Sequence, residues 1–286
     1  MKVENIESNI HRISYEVASK HTSTYLLLSD VHYDSLNCDR QLLKKHLDEA
    51  KAQDAQVLIF GDWFDVMACY GDPRSKANEI RQDYMSKDFS YLDMVIEDSI
   101  EFLQPYANQI LLISEGNHET NIKKRHDTDP LKRLLDGLHA YNPNICRGRY
   151  TGWVLFENKY KKGSHNRTFK LHYHHGFGGN AKRSKGMLDV QLEAMRYPDA
   201  DILCRGHDHQ KWHDPSTTRV RLSHRYAQYK DSVHYIKTGS YKDGFDKGEG
   251  GFEVEKNFMP TKLGGWWMHL TFERKKGSTI KVTEAE

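Results

Sequence analysis

Gln56-Val57-Leu58-Ile59-Phe60-Gly61-Asp62-Trp63-Phe64-Asp65 is a short apolar run that breaks into a glycine and two acids. Four to six residues rich in Leu, Ile and Val read as a buried strand, and the Gly-Asp pair ends it in a turn. The same design recurs along the chain. Residues 24–28 run into Ser29-Asp30-Val31-His32, and residues 109–113 lead to Gly116-Asn117-His118-Glu119. Residues 169–173 run into His174-His175-Gly176, and residues 201–204 into Gly206-His207-Asp208-His209. Helical stripes fall between these runs. Asp39 caps one carrying Leu43, Leu47 and Ala50, and Ser90 caps another carrying Leu92, Val95, Ile96, Ser99, Ile100 and Leu103. Asp129-Pro130 starts a third, with Leu131, Leu134, Leu135 and Leu138. Leu188, Leu192 and Met195 make a fourth, ended by Pro198. All four stripes read as core-facing. Strands alternating with helices predict an α/β fold, in which ligands gather beyond the carboxyl ends of the strands. After Gly206 the pieces at 218–222, 233–237 and 266–272 read as more antiparallel strands, and 242–256 as a loop rich in glycine and charge.

Length and composition narrow the options. The 286 residues suffice for a substantial core, and 11% aromatic content argues against disorder. Apolar runs stop at four or five residues, far short of the roughly 20 a membrane-spanning helix needs, so no membrane partner is expected. No basic start followed by an apolar stretch is visible. The four cysteines, at 38, 69, 146 and 204, form no CxxC pair, so the chain reads as cytoplasmic and free of a disulfide framework. The 17 histidines are the unusual feature, because several sit beside Asp, Asn and Gly at strand ends.

Each cluster alone is a weak signal. Five of them, in one order and each closing a strand, are hard to explain as surface polarity. Asp, His and Asn ligands without cysteine suit manganese, iron, zinc or nickel. The set DxH, GDxxD, GNH(D/E), a lone His and GHxH resembles the calcineurin-like metallophosphoesterase superfamily over about residues 24–240. The pieces Gly239-Ser240-Tyr241 and Pro260-Thr261-Lys262-Leu263-Gly264 resemble virus-encoded and prophage members; the location would then be a host cytoplasm.

The resemblance implies a four-layer α/β/β/α fold, a two-sheet β-sandwich flanked by helices, as a single domain over 1–286. It also implies two divalent metal ions, manganese first. Asp30, His32 and His209 would hold one, Asn117, His175 and His207 the other, and Asp62 would bridge both, since a carboxylate can serve two cations about 3.5–4 Å apart. A hydroxide shared by the metals would attack phosphorus in line. His118 resembles the residue that protonates the leaving group, with Asp65 orienting it through a carboxylate–imidazole hydrogen bond. Glu119 reads as a helix-start acid. His174 competes with His175, and the histidine directly before glycine is taken as the ligand.

Net charge is only +2, yet residues 159–186 hold eight basic residues and no acidic one. Within that stretch, Lys182, Arg183 and Lys185 lie in a glycine-rich loop and are candidates for binding substrate phosphates. The interval 66–90 reads as an insertion over the site, with Tyr70, Arg74, Lys76, Arg81 and Tyr84, and the chain from about 240 as a C-terminal extension. The expected activity is a phosphodiesterase on a nucleotide or nucleic-acid substrate. Its rivals are a phosphomonoesterase, a nuclease and a non-catalytic scaffold. The serine/threonine phosphatase pattern GDxVDRG is absent, because Asp65 is followed by Val66-Met67.

Overall fold

The computed structural model describes residues 1–66, 80–85, 88, 90–160, 167–178, 187–216, 218–223, 226–245, 254, 260–273 and 277–286. Two large sheets organise them. The first has six strands, in the order β15 (Gly277–Glu284), β14 (Trp266–Glu273), β3 (Lys20–Leu28), β4 (Gln56–Phe60), β5 (Ile110–Ser114) and β6 (Cys146–Arg147). From β3 to β6 it is parallel, with Leu27 opposite Leu58 and Ile59 opposite Ile113, and β14 joins β3 antiparallel. The second has seven strands. Their order is β1 (Lys2–Glu7), β2 (Ile10–Val17), β7 (Thr151–Tyr160), β8 (Arg167–His174), β9 (Ile202–Arg205), β13 (His234–Thr238) and β10 (Lys211–Asp214). Its β8, β9 and β13 are parallel. A separate ribbon pairs β11 (Thr218–Leu222) with β12 (Gln228–Ser232).

The two-residue period of a strand sorts the core into layers. Tyr25, Leu27, Leu58, Phe60, Met268 and Leu270 turn towards the second sheet and meet Val154, Phe156, Leu171, Tyr173, Ile202 and Ile236. Leu26, Leu28, Val57, Ile59 and Ile113 turn the other way, onto α1 (Arg40–Ala52), α2 (Tyr91–Leu103) and α4 (Pro130–Leu138). These three helices start where the sequence places them. Asp39, Ser90 and Asp129 side chains accept from the amides of Leu42, Asp93 and Lys132. α5 (Met187–Arg196) lies on the outer face of the second sheet, completing the α/β/β/α layers.

One expectation is corrected. Leu188, Leu192 and Met195 of α5 do not face the core; they are 75%, 59% and 79% exposed. The side of α5 turned to the sheet instead carries Glu193, ion-paired to Arg205 at 2.6 Å, and Ala194. Just past the helix Tyr197 stacks on His172, so a polar pair and an aromatic stack have taken the position the leucines were expected to fill. The chain beyond 240 joins this architecture. β14 adds to the six-stranded sheet beside β3, and Trp266, Met268, Leu270 and Phe272 fill the core between the sheets.

Among the described residues no helix is long and apolar enough to cross a membrane. Cys38, Cys146 and Cys204 are buried free thiols.

Candidate metal centre

The carboxyl ends of β3, β4, β5, β8 and β9 meet at one rim, and the clusters expected at strand ends meet with them. The loops after β3 and β4 run side by side, with the amides of Asp30, His32 and Tyr33 donating to the carbonyls of Gly61, Asp62 and Trp63 at 3.1, 3.1 and 2.8 Å. Across to the other sheet, the His207 amide donates to the Asp30 carboxylate at 2.9 Å, and within that sheet the Gly206 amide donates to His175 O at 3.0 Å. Asn117 and His118 open α3 (Asn117–His126), whose second amide, that of His118, donates to Asp62 Oδ1 at 3.0 Å.

Among the described residues three groups of donor atoms result; two carry the expected ligands, and the third, His32, Asp65 and His118, shares His32 with the first. Asp30, His32 and His209 converge on one position, and Asp62, His175 and His207 on a neighbouring one. Asn117 belongs to the second, its Oδ1 lying 2.7 Å from His207 Nδ1 and 3.0 Å from His175 Nε2. The positions adjoin, since His175 Nε2 is 3.1 Å from Asp62 Oδ2 and 4.0 Å from Asp30 Oδ1. His174 is turned away: its Nδ1 accepts from the Gly176 amide and its ring meets Tyr150 edge-on.

The backbone is bent to make this convergence. Nine described residues other than glycine have positive φ, and five are candidate ligands: Asp30, His32, Asp62, His207 and His209. Such residues cost on the order of 1–3 kcal/mol each and persist where the surroundings hold them in place. Gly61, at φ +86°, must be glycine for a further reason: a Cβ there would lie 2.5 Å from His175 Nδ1.

The donors fit divalent cations. A ligating imidazole commits one nitrogen to an oxygen acceptor and presents the other to the metal. His32 Nδ1 lies 2.9 Å from Asp65 Oδ1, and His32 Nε2 faces His209 Nε2 at 3.1 Å. His207 Nε2 donates to Gly178 O at 3.0 Å, so its Nδ1 aims a lone pair at the oxygen of Asn117. Two lone pairs face each other there, and a cation between them removes the conflict. Burial pushes His32 down to about 4 and lowers His207 and His209 too, keeping these imidazoles in the neutral, ligating form. Burial opposes charge on His175 as well, yet Asp62 and Asp30 hold its pKa up at about 10. Burial, against the pull of His175 and with the push of Asp62, raises Asp30 to about 7. Two carboxylates in one dry cavity favour positive charge between them.

The arrangement around His118 differs from expectation. The Asp65 carboxylate is 4.0 Å from His118 Nδ1, beyond hydrogen-bond reach; the main-chain carbonyl of Asp65 takes that proton instead. The carboxylate turns to His32 Nδ1 and to Lys242 Nζ, at 2.9 and 3.0 Å. Burial alone would favour a neutral carboxyl, but Lys242 and His32 hold Asp65 well below the usual carboxylate range. His118 Nε2 is left facing the cavity, 3.9 Å from Asp62 Oδ2.

Two supporting residues escaped the sequence reading, and a third was read only in part. Lys242 arrives from a segment read as loop, and no local pattern marks it. Asp34 accepts from the amides of Asp65 and Val66 at 2.6 and 2.8 Å, fixing the turn after β4; as one more loop acid it carries no distinguishing signal. Glu119 does more than start a helix. Its carboxylate accepts from the amides of Gly116, Phe64 and Asp62 at 2.8, 3.1 and 3.2 Å, tying two ligand-bearing loops together.

Lys182, Arg183 and Lys185 lie outside the described residues, as do Tyr70, Arg74 and Lys76. Arg81 and Tyr84 of the expected insertion are committed to the fold: Arg81 donates to Ser35 O and Cys38 O, and Tyr84 donates to Asp98.

The family model of the calcineurin-like phosphoesterases matches residues 23–211. Among solved structures, the chain is similar to a metallophosphoesterase from Sphaerobacter thermophilus, at 12% identity over 92% of this chain and 88% of that one, TM-score 0.34. It is similar to Vps29 from Entamoeba histolytica, solved with zinc, at 12% identity over 92% and 99%, TM-score 0.36. A conserved Streptococcus pneumoniae protein, described as a predicted phosphoesterase, matches at 11% identity over 92% and 99%, TM-score 0.33. No curated protein matches the chain.

Proposed function

The chain belongs to the calcineurin-like phosphoesterase family, and from that premise we propose that it is a metal-dependent phosphodiesterase acting on a nucleotide or nucleic-acid substrate. The observation that carries the reading is the pair of adjoining donor sets that share one rim. Asp30, His32 and His209 would hold one divalent cation, and Asn117, His175 and His207 the other, with Asp62 between them. Manganese leads iron, zinc and nickel as candidates. When bound, two such cations lower the pKa of water and draw charge from phosphoryl oxygens.

The chain's own residues supply the rest. His118 keeps its Nδ1 proton on the Asp65 carbonyl, so the nitrogen free to exchange a proton is Nε2, which faces the cavity. There it would hold the proton passed to the leaving oxygen. Asp65 and Lys242 hold His32 in its ligating tautomer, and Glu119 keeps the loops after β4 and β5 in step. Diester over monoester rests on the basic stretch 159–186, where Lys182, Arg183 and Lys185 would hold additional phosphates. The interval 66–90 would shape substrate choice, so shortening it should shift preference between substrates and leave cation binding intact. The buried free thiols suit a reducing cytoplasm, and residues 238–265 suit a virus-encoded or prophage origin.

The test is hydrolysis of bis-p-nitrophenyl phosphate against p-nitrophenyl phosphate in Mn²⁺, with a chelator control. Diester turnover that chelation abolishes is expected. Preference for the monoester would move the assignment to a phosphatase. On oligonucleotides, a KM that rises steeply with salt would point to nuclease action through phosphate contacts.

A further inference from the structure

Just past His175, the chain does something that neither packing nor cation binding requires. The next three residues are Gly176-Phe177-Gly178, and Phe177 is 73% exposed. The backbone on both sides of it is pinned. The Gly176 carbonyl accepts from Tyr150 OH at 2.7 Å, and the Gly178 carbonyl from His207 Nε2 at 3.0 Å. Both glycines have positive φ, +123° and +76°, and a Cβ on Gly176 would lie 2.6 Å from the Cβ of His207. The loop is therefore fixed by the second cation position itself and presents a bare aromatic face at its edge.

The neighbourhood is aromatic as well. His175 and Tyr150 meet edge-on with centroids 5.4 Å apart, Tyr150 and His174 likewise at 5.4 Å, and His174 and Phe177 at 6.1 Å. This row of rings starts at His175 and reaches Phe177 by way of His174, the imidazole turned away from the cation position. Two residues of chain span at most about 7 Å, so the Cα of Phe177 lies no farther than that from the Cα of His175, a separation that the phosphate, sugar and base of one nucleotide can bridge. A cation is near too: Arg149, next to Tyr150, is half-exposed, with its guanidinium 3.7 Å from Glu115.

We propose that Phe177 is a stacking platform for a nucleobase of the substrate, so that the site takes phosphodiesters carrying a base beside the scissile phosphate. The proposal rests on the phosphodiesterase reading above and names its substrate class. Stacking on an aromatic side chain tolerates every base, because each has a π-face. The platform therefore predicts preference for base-bearing diesters without strong sequence preference.

The experiment compares a dinucleotide with the same diester lacking the base next to the scissile bond, in Mn²⁺, for wild type, Phe177→Ala and Phe177→Trp. Phe177→Ala should raise KM for the base-bearing diester about 5- to 150-fold, the range for removing one stacking aromatic. The abasic diester and kcat should change little, and Phe177→Trp should restore KM. Equal effects on both diesters, or none on either, would overturn the platform. A second readout does not depend on turnover. Fluorescence of Phe177→Trp, after subtraction of wild type, should be quenched by a nucleoside monophosphate and not by ribose 5-phosphate. If wild type cleaves no diester while that quenching is seen, the phosphodiesterase reading fails and the platform stands. Quenching by both ligands or by neither overturns the platform whatever the enzyme cleaves.

Discussion

The two candidate cation positions offer similar donors and are braced in different ways. At the first, the candidate ligand His32 is held by a side chain, the Asp65 carboxylate, which Lys242 anchors in turn. At the second, the candidate ligands His175 and His207 are held by main-chain carbonyls, those of Phe60 at 3.1 Å and Gly178 at 3.0 Å. A carbonyl brace is present as long as the strand and loop are present. A carboxylate brace can be removed by one substitution and carries charge that affects the ligand's basicity. The first position is thus the adjustable one and the second is set by the fold.

Four substitutions test that contrast, beginning with the largest effect. Asp62→Asn removes the group proposed to serve both positions. It should abolish tight Mn²⁺ binding at both, measured by equilibrium dialysis, and nearly all turnover; retention of both ions would break the account of a shared bridge. His118→Asn should leave both ions bound and lower the rate by roughly 10²–10⁴. The loss should shrink on a substrate with a good leaving group, and loss of an ion would show that His118 is a ligand. Asp65→Asn should weaken the first position by about 10- to 100-fold and leave the second unchanged in a two-site Mn²⁺ titration. Equal weakening of both would erase the distinction between side-chain and main-chain bracing. Glu119→Gln should be mildest for the ions. It places an amide NH₂ against backbone N–H donors at a buried site, costing about 1–3 kcal/mol of stability in urea unfolding. Both positions should still fill.

Much of this was legible in the sequence, for physical reasons. A buried parallel strand needs a continuous apolar run, and a ligand at its end needs a turn residue, so runs such as 56–60 and the clusters after them could be read together. The caps Asp39, Ser90 and Asp129 were legible because capping is local. What was missed is non-local. Which side of α5 meets the sheet depends on Arg205 pairing with Glu193 and on Tyr197 stacking over His172, and neither is visible in the spacing of Leu188, Leu192 and Met195. Lys242 meets Asp65 across 177 residues of chain. The Asp65 carboxylate had two imidazoles in range, and only the three-dimensional turn after β4, held by Asp34, shows that it takes His32 and leaves His118 to the carbonyl.

The central claim is that two cations bind side by side across the rim of the two sheets. Anomalous diffraction at the manganese edge, on crystals grown with Mn²⁺, tests it most directly. Two peaks about 3.5–4 Å apart, one against Asp30, His32 and His209 and one against Asn117, His175 and His207, with Asp62 touching both, are the predicted result. A single peak, or one centred on His32, Asp65 and His118, would contradict it.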